Sequence, residues 1–328
     1  MAMYTRELKT FGELSYAHRD ENENLIYNAV APAMEMELEA GQYRELDQRA
    51  HYFEKAANMS KFTIPTAHQF GDTVRYFTIT PISDAFEFSK VDLWQADLYG
   101  KGKAAKMIKE HQEIIAWGLK HIKEKAMYTF ASNNSNFEGA TYYTDAATAW
   151  SSTGLADMKD DILAARLVRK GLNKMSLSDT SSIYAMVNET LNQSTVVSGS
   201  RRDGSVDVNP TVEFLKMYFQ MTYVDIASGE IIDDSSDPTD TGLSEIWGDK
   251  ILLQKFSPTS AKSEYRPSFV KHLIFRPLKR GEPNEGWFVL KTETDEEGGV
   301  GMEKYATWNY YQYLSHEPSF GYRIDNVY

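Results

Sequence analysis

Several groups of residues carry chemistry-bearing types at suggestive spacing, and none completes a site. Gly100-Lys101-Gly102-Lys103 precedes a helical pattern, as a phosphate-cradling loop would. Such a loop needs glycine at 97 and a hydroxyl residue at 104, and the chain has Asp97 and Ala104 there. With no apolar strand leading in, a solvated turn and helix start is expected. Gly298-Gly299-Val300-Gly301 lacks dinucleotide-loop spacing and reads as a flexible turn. His121 and Glu124, and likewise His51 and Glu54, lie three residues apart, but one pair per helix offers too few ligands for a metal centre. His111 sits on an apolar stripe and reads as a core histidine. The aspartates of 233–240 could meet a cation through oxygen. They lack the spaced ligands, central glycine and closing glutamate of a calcium loop, so a solvated loop is expected. No serine sits in G-x-S-x-G. The residues predict no catalytic site, no cofactor, no essential metal and no enzyme.

Composition narrows the rest. The chain has 328 residues, enough for one large domain or two medium ones, and its net charge is −12. Sequence-specific nucleic-acid readers need clustered Lys and Arg, so an acidic chain argues against one. An acidic wall around DNA is another matter, because it would not grip phosphates. Cysteine is absent, which removes disulfides, thiolate nucleophiles and cysteine metal sites. Charges at Arg6, Glu7 and Lys9 argue against a signal peptide, and no apolar run reaches membrane-spanning length. Assembly in a cytoplasm is expected. The 20 Tyr, 16 Phe and 6 Trp supply contact area for a core or for interfaces.

The elements follow from periodicity. Residues 1–33 read as an arm lying on another surface. Leu46, Ala50, Phe53 and Ala57 share one helical face. Residues 61–92 alternate (Arg75, Phe77 and Ile79 against Val74, Tyr76 and Thr78) and are punctuated by Pro65 and Pro81, which predicts an extended two-stranded loop with few internal core contacts. The clearest helix covers 103–130, with Ala104, Ile108, His111, Ile115, Leu119, Ile122 and Ala126 inward and Lys106, Lys109, Glu113, Lys120 and Lys123 outward. A short strand at 140–144 precedes a helix over 155–171 with Met158, Ile162 and Ala165 inward. Another helix carries Ile183, Val187 and Leu191. Residues 211–224 read as helix then strand, without a settled boundary. Strands are expected at 250–256, 269–276 and 286–292. Two closing strands, 305–314 and 319–327, should pair with each other and pack under the long helix.

The last third holds the most specific pattern. Ile246-Trp247-Gly248-Asp249, a short strand, Arg266-Pro267-Ser268-Phe269, a second strand and an acidic gap lead to Gly321-Tyr322-Arg323-Ile324-Asp325-Asn326-Val327. In order and spacing this resembles the C-terminal half of tailed-bacteriophage major capsid proteins, which share the Hong Kong 97 fold. Arm, extended loop and long helix match that family's N-arm, E-loop and spine helix in order. Trp150 followed by a helix with Asp157, Asp161 and Ile162 is similar to its entry into the axial domain, and Trp287 opens a strand as in the family. Lys174-Met175-Ser176-Leu177 departs from it, being less apolar than the usual strand.

The resemblance implies an α+β fold of the Hong Kong 97 type. Residues 1–60 would be the N-terminal arm, 61–95 the E-loop, 96–150 with 303–328 the peripheral domain, and 151–302 the axial domain. It implies a major capsid protein that self-assembles as hexamers and pentamers into an icosahedral shell around double-stranded DNA. Partners would be a scaffolding protein, a portal and a decoration protein, with no membrane. The location would be the virion capsid, assembled in the host bacterial cytoplasm. A separate scaffolding protein is implied because only about 60 residues precede the extended loop. His68, Phe70, Arg75, Tyr76 and Phe77 would form the E-loop interface. Trp247, Gly248, Asp249, Pro267, Ser268, Phe269, Ile324, Asn326 and Val327 would be structural. Lys61 and Lys90 are placed for cross-linking by position alone. Competing readings are an encapsulin-type compartment, a tail-tube protein and an unrecognised enzyme.

Overall fold

The computed structural model describes residues 24–31, 33–36, 38–46, 72–137, 143–145, 157–178, 212–232, 243–248, 250–256, 268–275, 287–294 and 301–325. Its helices are α1 (Tyr27–Val30), α2 (Lys90–Leu98), α3 (Lys103–Ser132), α4 (Asp157–Val168) and α5 (Val212–Phe219). Its strands begin with β1 (Ala33–Met36), β2 (Ala40–Leu46), β3 (Asp72–Thr78), β4 (Thr80–Ser89) and β5 (Tyr143–Asp145). They continue with β6 (Lys174–Leu177), β7 (Tyr223–Ile226), β8 (Glu230–Ile232), β9 (Leu243–Glu245) and β10 (Ile251–Gln254). The last are β11 (Val270–Phe275), β12 (Trp287–Thr294), β13 (Met302–Ser315) and β14 (Gly321–Asp325).

The long helix α3 spans 30 residues, about 45 Å at 1.5 Å per residue. Its start explains the failed phosphate-loop pattern. Gly102 has φ +84°, a left-handed turn that favours glycine. Asp97 Oδ1 accepts from Ala104 N at 3.1 Å and so satisfies one free amide of the first turn. At the other end Arg323 Nη1 donates to the carbonyls of Ala131 (3.2 Å) and Ser132 (2.7 Å), placing a cation where the helix dipole is negative.

Two five-stranded sheets flank α3. The first runs β1-β11-β13-β12, with β4 also paired to β13, and α3 packs on β4 and β13. Aromatic side chains line it. Phe86 stacks on Tyr305 at 5.3 Å, and Phe86 and Phe88 both meet His111, which is therefore a packed histidine as expected. The second sheet runs β5-β14-β10-β6-β7. Ile162, Ala165, Leu215 and Phe219 of α4 and α5 close one face of it against Met175, Leu177, Ile251, Leu253, Tyr322 and Ile324. On its other face Leu252 joins a seam with α1, Met127, Trp247 and Phe269.

Several expectations are corrected. Leu46 lies in β2, not in a helix, and β2 pairs antiparallel with β3. The described first strand of the excursion, β3, therefore pairs with residues 40–46. The excursion also has core contacts, since Phe77 and Ile79 pack with Met34 and Leu273, and β4 is hydrogen-bonded along its length to β13. Residues 90–98 form a helix because Ser89 Oγ accepts from Val91 N and Leu93 and Ala96 share its buried face. The closing strands do not pair. β13 belongs to the first sheet, whereas β14 lies between β10 and β5 in the second, because the short helical turn at Pro318–Phe320 redirects the chain. β11 and β12 are also bonded to β13 in the first sheet. Within α3, Ile122 faces outward and Lys123 is fully buried. Leu119, Lys123, Met127 and Ala131 form one ridge at intervals of four, so the buried face of the second half is rotated from the expected stripe. Ile162 and Ala165 of α4 are buried as expected. Residues 212–219 are helix and 223–226 strand, joined at Gln220 with φ +54°. Residues 50, 53, 57 and 180–193 lie outside the described residues.

Candidate functional site

The residues of the C-terminal pattern converge on the seam between the long helix and the second sheet. Trp247 is nearly fully buried, its indole N–H donates to Glu124 of α3, and Tyr128 meets its ring edge-on at 5.7 Å. Gly248 closes the same turn. Phe269 is fully buried against Phe130 and Phe137. Ser268 Oγ donates to Val270 O at 2.9 Å, and His316 N donates to Phe269 O at 3.1 Å, so this segment clamps the turn between β13 and β14. A Cβ on Gly321 would fall inside the van der Waals envelope of the Phe269 ring, which is why glycine stands there. Ile324 pairs with Ile251 in the core. The pattern thus marks packing positions, not reacting groups. Asp249, Pro267, Asn326 and Val327 lie outside the described residues.

The excursion residues divide. Tyr76 is 75% exposed, while Phe77 is 5% exposed and packs in the protomer's own core with Ile79, Met34 and Leu273. Alternation along β3 causes this split, since neighbouring side chains point to opposite faces. Arg75 Nη2 donates to His316 O at 3.0 Å and ties the excursion to the β13–β14 turn. His68 and Phe70 lie outside the described residues. A second exposed apolar surface was not foreseen. On α2, Val91, Trp94 and Leu98 face outward at helical spacing, Trp94 and Leu98 being 64% and 65% exposed. The opposite face of α2 is already buried. Apolar character on both faces of a short helix signals a covered position, and the Lys90–Leu98 sequence carries that signal once Ser89 is recognised as a cap.

The seam also holds ionisable groups that periodicity hid. Glu124 Oε2 accepts from Tyr27 N at 2.7 Å. Burial pushes this carboxyl up to about 7, against the hydrogen bonds from Trp247 and Tyr27 and the nearby His121. Lys174 Nζ lies 2.7 Å from Asp225 Oδ2 and donates to Ala29 O at 2.5 Å. Burial lowers its pKa, opposed by Asp225. This pairing accounts for the polar strand β6, whose four residues are all buried. Burial, and then the charge of Lys123, hold His272 well below the usual histidine range. His121 and Glu124 do not converge with further ligands. Among the described residues no group of three or more His, Asp or Glu is placed to hold a metal ion, and no helix is long and apolar enough to cross a membrane.

No family model and no curated protein matches the sequence. Solved structures do match in fold. A phage-related protein from Bordetella bronchiseptica RB50 aligns with TM-score 0.60 at 14% identity, over 97% of this chain and 96% of that one. The SrpI encapsulin of Synechococcus elongatus PCC 7942 aligns with TM-score 0.54 at 13% identity, over 94% and 90%. The capsid protein of cyanophage P-SCSP1u aligns with TM-score 0.54 at 10% identity, over 94% and 89%. The chain therefore has the α+β Hong Kong 97 fold of tailed-phage major capsid proteins, along nearly its whole length.

Proposed function

We propose that this chain is the shell-forming subunit of an icosahedral container, the major capsid protein of a tailed phage. One observation carries the reading: the match in fold to phage capsid and phage-related structures covers nearly all of this chain and of theirs. The exposed Tyr76 on the excursion and the outward apolar face of α2 are surfaces that neighbouring copies would cover. The first sheet with α3 is the peripheral domain in this reading, and the second sheet with α4 and α5 the axial domain. Hexamers and pentamers would enclose double-stranded DNA, with a scaffolding protein, a portal and a decoration protein as partners. The shell would assemble in the host bacterial cytoplasm. No residue is assigned a catalytic role.

An encapsulin-type compartment is the second reading, supported by the SrpI alignment at the same TM-score as the cyanophage capsid. Negative-stain microscopy of the purified protein tests the shell reading directly. Closed particles are expected, and stacked rings or small oligomers would reject it. The absorbance ratio of particles isolated from infected cells then separates a DNA container from a protein-filled one.

A further inference from the structure

Residues 24–31 and 33–36 cross from the second sheet to the first, and much of what holds them reads only their backbone. Ser228 Oγ accepts from Asn24 N at 2.7 Å, and Glu124 Oε2 of α3 accepts from Tyr27 N at 2.7 Å. Lys174 Nζ of β6 donates to Ala29 O at 2.5 Å, and Gln254 Nε2 of β10 donates to Val30 O at 3.2 Å. Side chains from four distant parts of the chain thus bond backbone atoms of one short stretch. Ile26, Tyr27, Val30 and Ala31 fill the seam with Met127, Trp247, Leu252 and Phe269. β1 then adds to the edge of β11 as a parallel strand, from Ala33 opposite His272 to Met36 opposite Phe275. Backbone capture, apolar pockets and an added edge strand are the means by which proteins hold separate peptides. Here the chain supplies the peptide itself.

The segment is separable from the rest. β1 ends the strand order of the first sheet, and among the described residues it pairs with β11 alone. Lifting it breaks that one short ladder. The pairings of β13 with β4, β11 and β12 remain, and so does every ladder of the second sheet. The far face of the second sheet keeps its own cover, Ile162, Ala165, Leu215 and Phe219. The two halves of the segment are tied to each other through His272, which is the register partner of Ala33 and meets the Tyr27 ring edge-on at 6.1 Å. Met34 continues the contact to Phe77, Ile79 and Leu273. Beyond β1 the chain leaves through Leu38 and Glu39, both exposed, which gives it a pivot in solvent. We propose that residues 24–31 and 33–36 are a strap across the two sheets that opens and closes as one unit while both sheets stay folded. Such units open below the cost of global unfolding and expose what they covered, here the seam at Trp247 and Phe269.

Hydrogen exchange of the full chain, in the regime that reports opening equilibria, tests this. Peptides covering 24–31 and 33–36 should share one opening constant, at least about tenfold above that of β10 and β14. Val30→Ala removes packing from the seam and should raise both peptides by the same factor, about tenfold or more, although Met34 sits in a different cluster. Ile162→Val lies on the far face of the second sheet. It should raise opening of β10 and β14 about two- to tenfold and leave the strap unmoved. Fraying residue by residue would give a gradient from 24 to 36 and confine the Val30→Ala effect to 24–31, and would overturn the strap. An opening constant equal to that of β14 would overturn it too, as would a strap that follows Ile162→Val, because either means that the segment leaves only when the protomer unfolds. These two outcomes need only the unaltered chain and Ile162→Val, and they decide the matter if Val30→Ala does not fold.

Discussion

The two sheets of this molecule are built to opposite standards. In the second sheet every residue of β6 and β10 and the first four of β14 are buried. Helices α4 and α5 close one face and the seam with α3 closes the other. In the first sheet most of β4 is exposed, and along β13 only Tyr305, Thr307 and Asn309 among the described strand positions are fully buried. The interior strands of the second sheet have found their partners inside the chain, whereas β4 and β13 of the first have not, although β11 beside them is buried. Stability and association should therefore separate along the same line. Changes in the second sheet should act on folding of the protomer. Changes on the outer faces of β3 and α2 should act on what surrounds it.

The largest effect is expected from deleting 318–328. That removes β14, an interior strand with partners on both sides. Tyr322 and Ile324 leave the core at about 1.5–3 kcal/mol each, and the Ala131 and Ser132 carbonyls lose the Arg323 guanidinium. The sum approaches a domain's net stability of about 5–15 kcal/mol. An insoluble or non-cooperatively melting product is expected by circular dichroism. A soluble chain that unfolds cooperatively would erase the contrast between the sheets.

Gly321→Ala should come next, at about 1–3 kcal/mol, because its Cβ would press into the Phe269 ring in a packed site. Urea unfolding gives the number. Phe269→Leu in the same chain should recover part of it, since the two residues touch and their effects cannot add. Full additivity would show that the strain lies elsewhere.

How much of this was legible in the sequence follows the same division. Trp247, Phe269 and Gly321 were visible as a pattern only because their order and spacing resemble those of a known fold; the close packing behind the pattern became visible in the structure. Ile162 and Ala165 were legible because α4 has one buried face. The pairing of β13 and β14 was misread because alternation states that a strand has two faces, not which strand lies beside it. The ten residues of β4 looked like part of a free excursion for the same reason. Glu124, Lys123 and Lys174 were hidden more deeply. Their types predict solvent, and only the spacing of Lys123 with Leu119, Met127 and Ala131 hinted at burial. The partners that make burial tolerable are Tyr27, Trp247 and Asp225, between about 50 and 120 residues away in the chain.

The smallest effect on the protomer should come from Trp94→Ser combined with Leu98→Ser. Both side chains project from α2 with more than half their surface in solvent. Leu93 and Ala96 hold the helix to its own core cluster with Phe88, Met107 and Ile108. Neither change touches the Ser89 cap or the Asp97 contact to Ala104. Surface substitutions of this kind shift stability by no more than about 0.5 kcal/mol, so the melting profile of the isolated protomer should stay nearly unchanged. Assembly should not. Two large apolar anchors removed from a contact repeated at every subunit should cut the yield of closed particles by tenfold or more, since each fully buried anchor is worth about 1.5–3 kcal/mol and 1.4 kcal/mol is a factor of ten in an equilibrium. Particle counts by electron microscopy at matched protein concentration measure this. Full yield would show that α2 faces solvent in the assembly, leaving the exposed face of β3 at Tyr76 as the next surface to change. A lowered melting temperature in the protomer would show that the first sheet does depend on α2's outer face, and that the two sheets differ less than their burial suggests.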